Sequence, residues 1–184
     1  MVKRVVKVFR YRQLSDANKR IPSNELIYNI KRGKRTDLLD FISDEIIAAI
    51  RNSIDYKDYI ITNVPRKRDR VIKYGLDHSA EIAKCISKKL GIEYIDVLKS
   101  VSRKPQKKTY GEERLKNAQF DYKKTVDLKG KRIIIVDDII TTGASMGHCA
   151  MLLRGLKAKE VVGACLAIAY KDKYTPFKKD FLPY

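Results

Sequence analysis

Apolar positions along this chain fall into two alternating patterns. Short unbroken runs read as strands: Tyr59 to Val64 (YIITNV), Tyr94 to Leu98, Ile133 to Val136, and Val161 to Ala169 (VVGACLAIA). The last two leave no polar face, which predicts strands buried on both sides. Residues 2–11 alternate more loosely, with Val2, Val5, Val6, Val8, Phe9 and Tyr11 among lysines and arginines, and also read as a strand. Between these runs the spacing becomes helical. Ser23 caps a short helix carrying Leu26, Ile27 and Ile30 and ending at Gly33. Thr36 or Asp37 caps a clearer one with Leu38, Leu39, Phe41, Ile42, Ile46, Ile47, Ala49 and Ile50 on its apolar side. Asp77 to Leu90 turns Ala80, Ile82, Ala83, Cys85, Ile86 and Leu90 inward and is closed by Gly91, and residues 144–157 carry Met146, Cys149, Met151, Leu152, Leu153 and Leu156.

Strands that alternate with helices imply right-handed βαβ units, hence an α/β fold with a parallel sheet flanked by helices. Ligands of such sheets bind beyond the carboxyl ends of the strands. Two loops are expected to converge there, Pro65 to Arg70 and Asp137 to Ser145. Residues 99–118 have no sustained apolar period and hold Pro105 and Gly111, so they read as a long loop, the kind that is functional in a compact domain. The tail from Tyr170 carries aromatics and prolines without a period, and no internal repeat or linker interrupts the chain. One domain of 184 residues, 44% hydrophobic, accommodates all of this.

Composition narrows the class. No apolar run approaches the roughly 18 residues of a bilayer span, and the basic start MVKRVVKVFR lacks the apolar core of a secretory signal. Cys85, Cys149 and Cys165 lie far apart in apolar patterns, matching neither a disulfide framework nor a CxxC zinc site, which points to a reducing cytoplasm. The net charge of +18 is concentrated: residues 1–35 hold 11 Lys/Arg against 2 acids, residues 65–73 hold 5 against 1, and residues 99–116 hold 7 against 2. A polyanionic partner is one reading of these segments and solubilising loop lysines are the other.

The chemistry concentrates in Arg132 to Ser145, RIIIVDDIITTGAS. Thr141, Thr142 and Ser145 offer hydroxyls to phosphate oxygens, and Gly143 permits a tight turn that points backbone N–H groups inward beside Ala144. The helix that follows contributes its positive end. Asp137 and Asp138 would repel a bare phosphate and suit sugar hydroxyls, or a Mg²⁺ that already carries phosphate. A ligand with both a hydroxylated ring and a phosphate satisfies both halves. A helix-capping Asp pair followed by an ordinary threonine turn satisfies the residues equally. His78 follows an acid at a helix start, the setting of a cap or surface residue. His148 beside Cys149 makes no metal site. Tyr28, Tyr56, Tyr94 and Tyr122 read as core or edge aromatics, while Tyr74 and Tyr110 lie in basic segments where a ring can stack on a base.

All thirteen positions from Ile133 to Ser145 resemble the signature with which type I phosphoribosyltransferases bind phosphoribosyl pyrophosphate. The likeness extends over about residues 25–169 and favours the ComF-like, competence-associated branch. Leu26 to Ile42 is similar to a segment near that branch's start, Asn63 to Lys84 to its proline–arginine loop and following helix, and Ser102 to Phe120 to its basic loop. Two features depart. The chain has no cysteine before Cys85, where that branch often carries a four-cysteine zinc module. The branch's Arg-Gly-Phe-Asn-Gln stretch stands here as Tyr74-Gly75-Leu76-Asp77-His78.

The resemblance implies a small N-terminal hood at about residues 1–50, a core at about 55–170 and a tail at 171–184. It also implies a pentosyltransferase that moves phosphoribosyl from its diphosphate donor to a nucleobase or ammonia. Thr141, Thr142, Gly143, Ala144 and Ser145 would hold the 5-phosphate, and Asp137 and Asp138 the ribose hydroxyls and the charge developing at the anomeric carbon. Arg66 and Lys67 would hold the pyrophosphate with Mg²⁺, the cofactor, which would have no direct metal ligand in the chain and would be engaged, if at all, via Asp137 and Asp138. Arg103, Lys104 and Arg114 would close a loop over the site, and a homodimer is compatible with this reading. The alternative is a ComF-like accessory protein that binds single-stranded DNA in uptake or processing, its phosphoribosyl site sensory or vestigial.

Overall fold

A computed structural model of the protein describes residues 1–12, 36–101 and 120–170. The helix expected from Ser23 to Gly33, most of the long basic loop and the tail lie outside them. A four-stranded sheet carries the fold, in the order β1 (Val5–Arg12), β6 (Glu160–Tyr170), β5 (Arg132–Ile140), β2 (Tyr59–Asn63). Every neighbouring pair in it is parallel. This is the expected parallel α/β sheet. Ile133 to Val136 are fully buried and the five residues of β2 are all buried, as strands covered on both faces must be.

Helices cover both faces. On one side α1 (Leu39–Ser53), entered through a 3-10 turn at Thr36–Leu38, packs with α3 (His78–Leu90). Ile42, Ile46 and Ile50 of α1 meet Ile82 and Ile86 of α3 over Ile61, Ile134 and Val162. Between β2 and α3 lies α2 (Arg68–Tyr74), a seven-residue helix with no buried residue, in a stretch expected only as a loop. On the other side α4 (Ala144–Gly155) sets Met146, Cys149, Ala150 and Leu153 against Ile133, Ile135, Val161 and Cys165. Within the expected hood segment, β1 and α1 both build on this sheet and its helical layer, while residues 13–35 lie outside the description.

The run Tyr94 to Leu98 does not form a full strand. Ile61 N–H donates to Glu93 O and Ile95 N–H to Ile61 O, each at 2.8 Å, and the run meets β2 through this single bridge. Val97 and Leu98 are drawn instead into the core beneath α4, together with Phe120. There β3 (Leu98–Ser100) and β4 (Phe120–Tyr122) form an antiparallel ribbon that brackets the long loop. His148 of α4 meets the Phe120 ring edge-on at 5.7 Å, and the Tyr122 hydroxyl donates to Leu152 O at 3.1 Å, so the ribbon is fastened to α4.

Candidate functional site

The strand carrying the acid pair is longer than its apolar run. β5 continues through Asp137 and Asp138 to Ile140 and remains paired with β6, Asp137 opposite Cys165 and Ile139 opposite Ala167. One row is skipped, at Val8, Leu166 and Asp138 across β1, β6 and β5. Beyond it the alternation reverses, so that Ile139 joins the α1/α3 core and Ile140 the α4 core. The carboxylates take the local backbone donors: Asp138 N–H donates to Asp137 Oδ1 at 3.0 Å, and Ile139 N–H to Asp138 Oδ1 at 2.7 Å. Ser79 Oγ of α3 also donates to Asp137 Oδ1, at 3.2 Å. Burial, reinforced by the neighbouring Asp138 charge, pushes the Asp137 carboxyl well above the ordinary range. Beneath it the buried Cys149 and Cys165 thiols are pushed up by burial and by Asp137.

Past Ile140 the chain turns at once into α4. Gly143 adopts φ 75° at the helix N-cap, a left-handed backbone that favours glycine, and the Gly147 N–H closes the first turn on Gly143 O at 2.8 Å. Thr142 Oγ1 accepts from Ala144 N–H at 3.4 Å. Thr141, Thr142 and Ala144 are exposed, Ser145 is half-buried and Gly143 is buried. The predicted phosphate cradle therefore stands open to solvent at the positive end of a 12-residue helix.

The neighbouring strand end brings in the second loop. Val64 N–H donates to Val136 O at 2.8 Å, so pairing runs one residue beyond β2 and Pro65 starts beside the acid pair. Arg66 is then gripped from α3. Its backbone N–H donates to Asp77 Oδ2 at 2.7 Å, while Asp77 Oδ1 caps α3 by accepting from Ala80 N–H at 3.2 Å. Burial raises the Asp77 pKa, against the lowering effect of these two bonds. The Arg66 guanidinium meets His78 Nδ1 and lies 5.0 Å from the centre of the Tyr74 ring. Lys67 is exposed.

Four predicted groups thus gather at adjoining strand ends: Asp137 with Asp138, the 141–145 turn, Arg66 and Lys67. Arg103, Lys104 and Arg114 lie outside the described residues. Three further residues join the site from the first turn of α3. Asp77 pins the arginine loop, His78 contacts Arg66, and Ser79 contacts Asp137. The cap at Asp77 had a sequence signal. His78 and Ser79, only 2% and 5% exposed, had none, because polar residues in a helix's first turn ordinarily face water. Tyr74 lies against Arg66, and no helix among the described residues is long and apolar enough to cross a membrane.

Residues 75–182 match the family described as phosphoribosyl transferase domain, more than half of the 184-residue chain. A ribose-phosphate pyrophosphokinase 2 from Archaeoglobus fulgidus is 49% identical over 43 residues, which are 23% of this chain and 16% of that protein. The competence protein ComFC of Streptococcus pneumoniae is 28% identical over 125 residues, 66% of this chain and 54% of its own. A hypoxanthine-guanine phosphoribosyltransferase structure from Bacillus anthracis superposes with a TM-score of 0.47 at 15% identity, covering 76% of this chain and 73% of that one. The chain spans about half or less of the length of those two curated relatives. A family match that runs from the turn before α3 through the acid pair and the head of α4 makes this chain a member of the phosphoribosyl transferase domain family.

Proposed function

We propose that the chain binds phosphoribosyl pyrophosphate across the C-terminal ends of β2 and β5 and transfers its phosphoribosyl group to a nitrogen acceptor, a nucleobase or ammonia. The observation that carries this is one of placement. A carboxylate pair, an open helix N-terminus and an anchored arginine stand at neighbouring strand ends. The 5-phosphate lies on the N–H groups and hydroxyls of Thr141, Thr142, Gly143, Ala144 and Ser145. The ribose hydroxyls meet Asp137 and Asp138, and the diphosphate meets Arg66 and Lys67.

In the reaction the bond from the anomeric carbon to pyrophosphate breaks, a carbon–nitrogen bond forms, and the acceptor nitrogen gives up a proton. Positive charge develops on the ribose ring as the leaving group departs. A carboxylate fixed in a strand beside the ring stabilises that charge without reorganising. Pushed up by burial, Asp137 holds a proton more readily than a free aspartate. One carboxyl then bonds a hydroxyl while the other faces the developing charge. Among the described residues no group of three or more His, Cys, Asp or Glu is placed to hold a metal. Mg²⁺ would arrive on the diphosphate, and the Asp137 and Asp138 carboxylates are hard oxygen groups of the kind that suit it. When bound it would neutralise the departing pyrophosphate. The basic loop, through Arg103, Lys104 or Arg114, would exclude water.

Calorimetry with phosphoribosyl pyrophosphate and Mg²⁺ tests the donor site. Wild type is expected to bind, and Asp137→Asn combined with Asp138→Asn to lose binding. No heat from the wild type at millimolar donor would sink the proposal. A screen of acceptors read by pyrophosphate release would identify the nucleophile.

A second reading has its own observation. Arg68 and Arg70 of α2 are exposed with Lys73, next to exposed Lys67, forming a cationic rim beside the site. That rim suits single-stranded nucleic acid, which the competence relative makes worth testing. Such binding should weaken steeply between low and physiological salt, and a salt-independent affinity would exclude it.

A further inference from the structure

We propose that His78 is a positioning residue whose neutral imidazole holds the Arg66 guanidinium in place for pyrophosphate. This rests on the reading of Arg66 as a pyrophosphate ligand. The chain grips Arg66 at both ends from adjacent positions of one helix start: Asp77 takes its backbone N–H at 2.7 Å, and His78 Nδ1 takes its guanidinium. Arginine keeps its charge in proteins and only donates, so Nδ1 must present its lone pair and the ring proton must sit on Nε2. His78 is 2% exposed, so the ring cannot swing out without opening the head of α3. The Tyr74 ring backs the guanidinium at 5.0 Å. A long cationic side chain that would otherwise sample many rotamers is thus ordered before the ligand arrives, which is how affinity is gained without a new ligand contact.

The arrangement carries a pH dependence. The charged groups acting on His78 are Arg66 from the β2–α2 loop and Asp138 from β5. Burial first and Arg66 second lower its pKa, and Asp138 opposes them. The ring is therefore neutral near pH 7. Only below its depressed pKa does it gain a proton, lose its acceptor and repel the guanidinium.

The test uses calorimetry on the full chain with two probes, Mg²⁺–pyrophosphate and ribose 5-phosphate. His78→Ala is expected to weaken pyrophosphate binding about tenfold, the scale of one hydrogen bond to a charged group, and to leave ribose 5-phosphate unchanged. His78→Asn sets an amide oxygen near the place of Nδ1. It should restore affinity at neutral pH and lack the additional acid loss that wild type shows. Arg66→Ala should lose pyrophosphate binding, with His78→Ala adding nothing further on that background. If Arg66→Ala binds pyrophosphate like wild type, the reading of Arg66 fails and the inference with it. If Arg66→Ala loses binding while His78→Ala keeps it, only the role of His78 is overturned. Should His78→Ala fail to fold, shown by loss of ribose 5-phosphate binding, the Asn variant decides. Retained affinity with no added acid loss supports the role, and weakened affinity or a wild-type acid loss overturns it.

Discussion

Asp137 and Gly143, both in the proposed donor site, act on stability in opposite directions. Asp137 is raised by burial above its ordinary 3.8. Between the unfolded and folded pKa the native state holds the extra proton, so stability falls as pH rises through that window, and the penalty is complete above it. Asp137→Asn should therefore stabilise the protein near neutral pH by about 1 kcal/mol, a few degrees in Tm. The gain should vanish below pH 3.8 in thermal melts read across pH. The same variant should lose donor binding. Gly143 presents the opposite balance. A side chain at φ 75° strains the turn, so Gly143→Ala should cost about 1 kcal/mol and weaken ribose 5-phosphate binding, checked by denaturant melts and calorimetry.

Between β6 and α4 the close approach is made at Gly163, in the middle of the strand. A Cβ there would meet Met146 Sδ at 2.5 Å and Val5 Cγ2 at 3.1 Å, so the strand, the helix and β1 share one seam without room for a methyl group. Gly163→Ala should destabilise by about 1–3 kcal/mol, and shortening Met146 in the same chain should recover part of that loss. Equal stability of single and double variants in urea melts would show that the seam yields elsewhere. Movement at this seam would also reach the site, because Met146 lies in the first turn of the helix whose N-terminus is the proposed phosphate cradle. The skipped row at Val8, Leu166 and Asp138 is a related feature of the sheet. It gives Asp137 and Asp138 their positions by interrupting the ladder beside them.

Across the molecule, the two ends of the sheet do different work. The C-terminal ends carry the proposed site, and the opposite end carries an ionic knot. Glu160 accepts from the Tyr59 hydroxyl at 2.8 Å and from Lys3 at 3.2 Å, with Arg132 at 3.6 Å and stacked 4.6 Å from the Tyr59 ring. Burial would raise the Glu160 pKa, but those partners hold it below the ordinary 4.5. Burial and Glu160 push Tyr59 up to about 12, so it stays a donor throughout the useful pH range. The knot's contribution is present above pH 4.5 and lost as pH falls through the depressed value. Glu160→Gln should cost about 1–2 kcal/mol at neutral pH and converge on wild type in acid, without altering donor binding. Hydrogen exchange should divide the fold similarly. The central β5 and β6, buried on both faces, should protect longest, and the three-residue strands β3 and β4 should exchange first.

Much of this was legible in the linear pattern. The runs at residues 133–136 and 161–169 read as strands buried on both faces, their alternation with helices called for a parallel sheet, and the periodicity at residues 38–50 and 77–90 left one apolar side on each helix to cover it. The acid pair, the Thr-Thr-Gly turn and the helix after it are contiguous, so their chemistry could be read locally. What depended on distant segments could not. Tyr94 to Leu98 has the composition of a strand, but burial of Val97 and Leu98 with Phe120 outweighs a longer pairing with β2. The extension of β5 through two carboxylates relies on β6 as partner and on backbone donors that those carboxylates satisfy. The arrival of Asp77, His78 and Ser79 at the acid pair was decided by packing α3 against β2 and β5. Local sequence sets which atoms can bond, whereas the meeting of His78 with Arg66 and of Ser79 with Asp137 across 12 and 58 residues of chain exists only once the core has closed.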